Sequence, residues 1–148
     1  MKKGILFGGA LVAALVAALA LLAGFAANHE LRPKRAYGFL SYRVNSILDE
    51  IKANDSQRTQ VNAVKDELFK DGLALKQANR ALRKELIAQW DSDVVDSAKI
   101  HALVNERVEA FRAFATKAAD DAVKVHDLLS AEQRAQLKQE FEDAHSHD

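Results

Sequence analysis

The sequence predicts an all-α protein: an N-terminal transmembrane or signal helix, then an elongated four-helix domain of hairpin type. Three observations carry that expectation. Apolar residues recur every three or four positions through residues 37–141, with little strand-like alternation. Proline occurs once in 148 residues, at Pro33, ahead of the periodic region. Residues 4–27 contain no charged side chain and are long enough to span a bilayer as one helix.

Lys2 and Lys3 precede that apolar run, and Gly24-Phe25-Ala26 offers a small-x-small cleavage site, so a removed signal peptide is one reading. Its length exceeds the roughly 7–15 apolar residues usual for a signal core and favours an uncleaved anchor in the inner membrane. Orientation does not follow from charge. Arg32, Lys34 and Arg35 on the far side, against Glu30, nearly cancel the two lysines. Residues 28–36, with Pro33 and mixed charges, read as a linker to a helical domain over 37–144 and a flexible tail over 145–148.

Within the domain, Leu40, Val44, Ile47 and Ile51 place a first helix over Tyr37–Lys52. A second starts at Asn54 and runs to Trp90 on Val61, Val64, Leu68, Leu75, Ala78, Leu82 and Leu86. Gly72 interrupts this stripe and marks either a bend or a tolerated glycine, at a cost of about 1 kcal/mol against Ala. Asp91-Ser92-Asp93 supplies cap-type residues for a turn and restart. The third helix, ending at Leu128, carries Val104, Val108, Phe111, Ala115, Ala118, Ala122, Val125 and Leu129 in alternating steps of four and three, a coiled-coil-like seam. Ser130 opens a fourth helix through Leu137 and Phe141 that frays from Ala144. Two rods of about 50 Å leave apolar seams uncovered, and a homodimer is the simplest cover.

An eight-residue pattern occurs twice, 76 positions apart: Asn54-Asp-Ser-Gln57-Arg58-Thr-Gln60-Val61 and Ser130-Ala-Glu-Gln133-Arg134-Ala-Gln136-Leu137. Each copy reads as a capping box, with Asn54 or Ser130 accepting from a backbone N–H and Gln57 or Gln133 reaching back to the cap. On capping alone, Ser130→Ala is expected to cost about 0.5–2 kcal/mol and Gln133→Ala less.

Leu129-Ser130-Ala131-Glu132-Gln133 resembles the LTxxQ signature of Spy/CpxP-type periplasmic proteins, which usually carry two such boxes; Ala53-Asn54-Asp55-Ser56-Gln57 is a looser copy. The resemblance implies a curved, dimeric helical cradle exported to the periplasm. It also implies ATP-independent binding of unfolded clients, or restraint of a stress-signalling membrane protein. Some relatives confer heavy-metal resistance or sense metals through paired helical ligands such as His separated by four residues. No such pair occurs here.

Composition narrows the chemistry. Residues 28–148 hold 19 of 21 basic and all 21 acidic residues, a balance near −2 that gives no support to nucleic-acid binding. There is no cysteine, hence no disulfide, thiolate nucleophile or Cys-based metal site. No zinc-protease, phosphate-loop or nucleophile-elbow motif is present, so an enzyme is not expected and no cofactor is required. Lys76, Arg80, Arg83 and Lys84 form a basic stripe beside Leu75, Ala78, Leu82 and Leu86, a candidate client-binding face. His145 and His147, beside Glu142, Asp143 and the terminal carboxylate, are the candidate ligands for Zn, Ni or Cu; His29, His101 and His126 stand alone. Three function classes remain: chaperone-like or stress-modulating binding, metal resistance or sensing, and a membrane-anchored coiled-coil adaptor.

Overall fold

In the computed structural model the described residues are 33–145, with side chains described as far as Gln139. All regular structure among them is helical: α1 Pro33–Glu50, α2 Asp55–Trp90, α3 Ser97–Leu128 and α4 Ala131–His145. The predicted anchor (4–27), residues 28–32 and His147 lie outside the described residues. No helix among the described residues is long and apolar enough to cross a membrane.

Helix α1 takes in residues 33–36, four that the sequence assigns to the linker. Proline is tolerated in the first turn of a helix, where its missing N–H has no intrahelical partner to lose. The helix closes with a left-handed residue, Lys52 (φ 52°). Ala53 N–H donates to Leu48 O at 2.8 Å and Lys52 N–H to Asp49 O at 3.0 Å, a Schellman closure whose apolar contact is supplied by buried Leu48 and Ala53. A left-handed conformation costs a β-carbon-bearing residue about 1–2 kcal/mol. Lys52→Gly should therefore raise unfolding free energy by about 1 kcal/mol. Urea denaturation followed by helical ellipticity checks this, and an unchanged midpoint would mean that the turn is not strained.

Helix α2 crosses α1 in antiparallel register, with Arg58 beside Asp49, Asn62 beside Asn45, and Lys65 beside Ser41. Its buried stripe is Val61, Lys65, Leu68, Gly72 and Leu75. Val64, expected on this stripe, packs half-buried against the core, and Lys65 beside it is buried as well. The Lys65 ammonium donates to Ser41 Oγ at 2.9 Å, lies 3.1 Å from Asp66 Oδ1 and sits 4.7 Å from the Tyr37 ring centroid. A buried cation needs that much compensation. Burial alone would raise the Asp66 pKa. The Tyr37 hydroxyl bonded to the carboxylate and the Lys65 ammonium beside it outweigh that effect and hold it below the usual carboxylate value. Gly72 neither breaks nor ends the 36-residue helix.

Helix α3 returns antiparallel to α2, tied by Lys117 to Asp71 (2.5 Å) and Glu67 (3.3 Å), and by Lys99 to Glu85 nearer the turn. The turn opens at Asp91 as expected, but Asp96 starts α3: its carboxylate accepts Lys99 N–H at 3.0 Å. Ser92 Oγ instead closes the turn onto Gln89 O and Val94 O. The α3 seam is kept in its second half, where Ala118, Val125 and Leu129 are buried in the core, and corrected in its first. The buried face of the helix is Phe114, Ala118, Asp121 and Val125, while Val104, Val108 and Phe111 are 42%, 50% and 45% exposed. Phe114 and Asp121 complete the buried face, and the half of the seam formed by Val104, Val108 and Phe111 lies beside it without meeting the core. Asp121 is inside that core, paired with Lys124 at 2.7 Å through one oxygen; the other has no partner among the described residues.

Among the described residues the core spans only one end. It joins Leu40, Val44, Ile47, Leu48, Ile51 and Ala53 of α1 and its turn to Val61, Leu68 and Leu75 of α2 and Phe114, Ala118, Val125 and Leu129 of the α3 side, with Leu137 of α4 packed on its margin. Between Leu75 and Phe114 no described side chain is fully buried. The far half of the α2–α3 hairpin is a two-helix arm projecting from a small three-dimensional base.

Candidate functional site

The repeated pattern builds the base of the arm. Asn54 Oδ1 accepts Gln57 N–H at 2.9 Å while Gln57 Oε1 accepts Asn54 N–H at 2.9 Å, a complete capping box. Ser130 and Gln133 repeat it at 3.2 and 2.9 Å. Capping is half of what the glutamines do. The two boxes face each other, and the side-chain amides pair reciprocally: Gln57 Nε2 donates to Gln133 Oε1 at 2.9 Å and Gln133 Nε2 to Gln57 Oε1 at 3.2 Å. Each Nε2 spends its second hydrogen on the opposite unit, Gln57 on Leu128 O (2.7 Å) and Gln133 on Ile51 O (3.1 Å). Every donor and acceptor of both amides is used.

The arginines that follow close the ends of the preceding helices. Arg58 Nε donates to Ala53 O at 2.9 Å and its Nη2 to Leu48 O at 3.1 Å, while Nη1 binds Asp49 at 2.6 Å. Arg134 Nη1 donates to Leu129 O at 2.6 Å and His126 O at 3.3 Å. A cation against C-terminal carbonyls satisfies orphan acceptors and favours the negative end of the helix dipole. The last repeat position is not symmetric: Gln136 reaches across to Glu50 O at 3.1 Å, whereas Gln60 stays on its own helix with Ser56. The motif is thus a clasp that fastens the α1–α2 turn to the α3–α4 turn and leaves the opposite end of the hairpin free to project. Spacing identified the caps. It held no sign that two boxes 76 residues apart would share one hydrogen-bonded ring, other than the repetition itself.

The other candidate residues are not brought to the clasp. Lys76 is half-buried and Arg80, Arg83 and Lys84 are exposed along the arm. The apolar residues expected beside them are less available than periodicity suggests, since Leu75 is buried and Ala78, Leu82 and Leu86 are half-buried. Exposed apolar area lies elsewhere on the arm: Ile87, Trp90, Val94 and Val95 around the hairpin tip, and Val104, Val108 and Phe111 on α3. Sequence reasoning assigned none of the tip residues a role, although a lone Trp beside two valines in a polar turn was a usable signal.

His145 is the last residue of α4, its side chain not described, and its expected metal partner His147 lies outside the described residues. His101 is exposed, and the exposed His126 ring has Nδ1 2.9 Å from Asp127. Among the described residues no three His, Cys, Asp or Glu side chains gather as metal ligands do.

No curated protein and no solved structure matches this chain. The model of the LTXXQ motif family protein matches residues 40–141, which take in both boxes, the clasp and the whole arm. On that match, and on two glutamine boxes locked together as one structural unit, the chain belongs to the LTXXQ motif family.

Proposed function

We propose that this protein is a non-catalytic, ATP-independent binder of partly unfolded polypeptides, acting in the periplasm from an inner-membrane tether and working as a homodimer. LTXXQ proteins are generally periplasmic, which supports the location. The observation that carries the reading is the arm itself. Beyond Leu75 and Phe114 it has no buried core, yet it presents Val104, Val108 and Phe111 to solvent on a hairpin that also carries exposed Arg80, Arg83 and Lys84. Apolar contact with an unfolded chain is non-specific in sequence, and a cationic stripe adds longer-range capture of acidic segments. Restraint of a stress-signalling membrane protein would use the same arm against a folded partner.

The domain comprising residues 28–148 should suppress aggregation of an unrelated denatured enzyme without ATP. Joint charge reversal, Arg80→Glu with Arg83→Glu, should weaken that suppression several-fold at low salt and far less at high salt, where exposed charges are screened. Val108→Ser should weaken it at both. Light scattering at several-fold molar excess of the domain reads the result. A parent domain that leaves the aggregation rate unchanged rules out chaperone-like activity and leaves the signalling partner as the target.

A further inference from the structure

The hairpin tip has an apolar character that polypeptide capture along the arm does not use. Trp90 is 88% exposed, Val94 81%, Ile87 62% and Val95 48%, all within one turn and the helix end beside it. We propose that this tip rests in the lipid bilayer surface, so that the protein contacts the membrane at two places, its N-terminal segment and its arm. The proposal rests on the tethered reading given above.

Geometry selects lipid over other occupants. The α1–α2 pairings of Asp49 with Arg58, Asn45 with Asn62 and Ser41 with Lys65 run antiparallel, which sets Pro33 level with about residue 73 of α2. The start of α1 therefore points the same way as the tip. From that level to Trp90 the arm extends about 26 Å further, at 1.5 Å per residue. The charge-free run ends at Ala27, and the six residue steps from there to Pro33, even drawn straight, reach at most about 22 Å. A tether shorter than the arm cannot hold the domain upright clear of the membrane; the tip meets the surface first.

The tip's chemistry suits that location. Tryptophan favours the membrane–water interface, where its ring is half apolar and its N–H stays wet. Arg83 and Lys84 stand about 9–10 Å back along α2, within reach of lipid phosphates. Asp91, Asp93 and Asp96 oppose deep entry, so the contact is shallow; with Glu85 paired to Lys99, Arg83 and Lys84 offset most of the aspartate charge. A weak contact suffices, because a tethered tip has an effective concentration near millimolar and a second attachment converts marginal binding to stable binding.

Trp90 is the only tryptophan in the chain and reports its own surroundings. The full chain is reconstituted into phosphatidylethanolamine–phosphatidylglycerol vesicles, with and without doxyl-labelled lipid. The expected result is flotation with the vesicles, Trp90 emission shifted to shorter wavelength than in detergent-free buffer for residues 28–148, and stronger quenching by a shallow than by a deep doxyl group. Val94→Asp with Val95→Asp should return the emission to that of a water-exposed indole and abolish quenching, while flotation, helical content and aggregation suppression stay at parental values. Flotation with an unquenched, water-like Trp90 overturns the tip contact and leaves the tether standing. A shifted emission that lipid quenchers do not touch assigns the tip to a second copy of the chain and also overturns it. Failure to float removes the tether, and the proposal with it.

Discussion

Gln133→Ala should lower unfolding free energy by about 2–3 kcal/mol, more than Ser130→Ala, reversing the order that capping alone predicts. Ser130 is exposed, and water can replace its hydroxyl at the Gln133 N–H. Gln133 is half-buried, and its side-chain amide takes part in four hydrogen bonds, with Ser130 N–H, Ile51 O and, in both directions, the Gln57 amide. Each is worth about 0.5–1.5 kcal/mol net, with the lower part of that range fitting a half-buried site. The near-isosteric Gln133→Glu should cost at least as much as Ala. It keeps the volume but loses both Nε2 hydrogens and sets a carboxylate against Ile51 O and Gln57 Oε1. Urea unfolding of Gln57→Ala, Gln133→Ala and the double variant should show a coupling of about 1 kcal/mol, since either single change already opens the ring. Strict additivity, or a Gln133→Glu variant as stable as the parent, would reduce the clasp to two independent caps.

The parts legible in the sequence were those governed by local rules. Capping boxes, the all-helical class and the four helices of the described residues follow from residue type and spacing, and the structure keeps them. Two kinds of feature escaped. One is long-range polar pairing, since nothing in Gln57 or Gln133 taken singly distinguishes an amide that only caps from one that also bridges 76 residues. The other is rotation of a helix face. On α3, apolar counting found Ala118, Val125 and Leu129 but chose Phe111 over Phe114 and passed over Asp121. The structure buries Asp121 because Phe114, Ala118 and Val125 outweigh it and Lys124 pairs one of its oxygens. The same preference picked out Val64, which packs half-buried on the core, and passed over Lys65, buried beside it with Ser41, Tyr37 and Asp66 around its ammonium. Tertiary partners make such charges tolerable, and periodicity does not register them.

That rotation sets up the second large effect. Phe114→Ala should destabilise the protein by about 3–5 kcal/mol, the usual cost of emptying a buried aromatic site. Phe114 is 7% exposed and packs in the one contiguous core, so little of its surface can be recovered by water or by side-chain collapse. In a domain whose total stability is expected near 5–15 kcal/mol, such a loss should lower the melting midpoint steeply. Phe111, one turn earlier and 45% exposed, should cost about 1 kcal/mol or less when truncated in dilute solution, because about half of its surface is already in water. The pair therefore tests which stripe faces inward. It also tests the homodimer, since a second copy seated on Val104, Val108 and Phe111 would make the cost of Phe111→Ala grow with protein concentration while that of Phe114→Ala stayed constant. Thermal melts at micromolar and at hundredfold higher concentration separate the cases. Equal, concentration-independent losses at both positions would mean that both stripes are buried within a single chain, and the projecting arm would have to be redrawn.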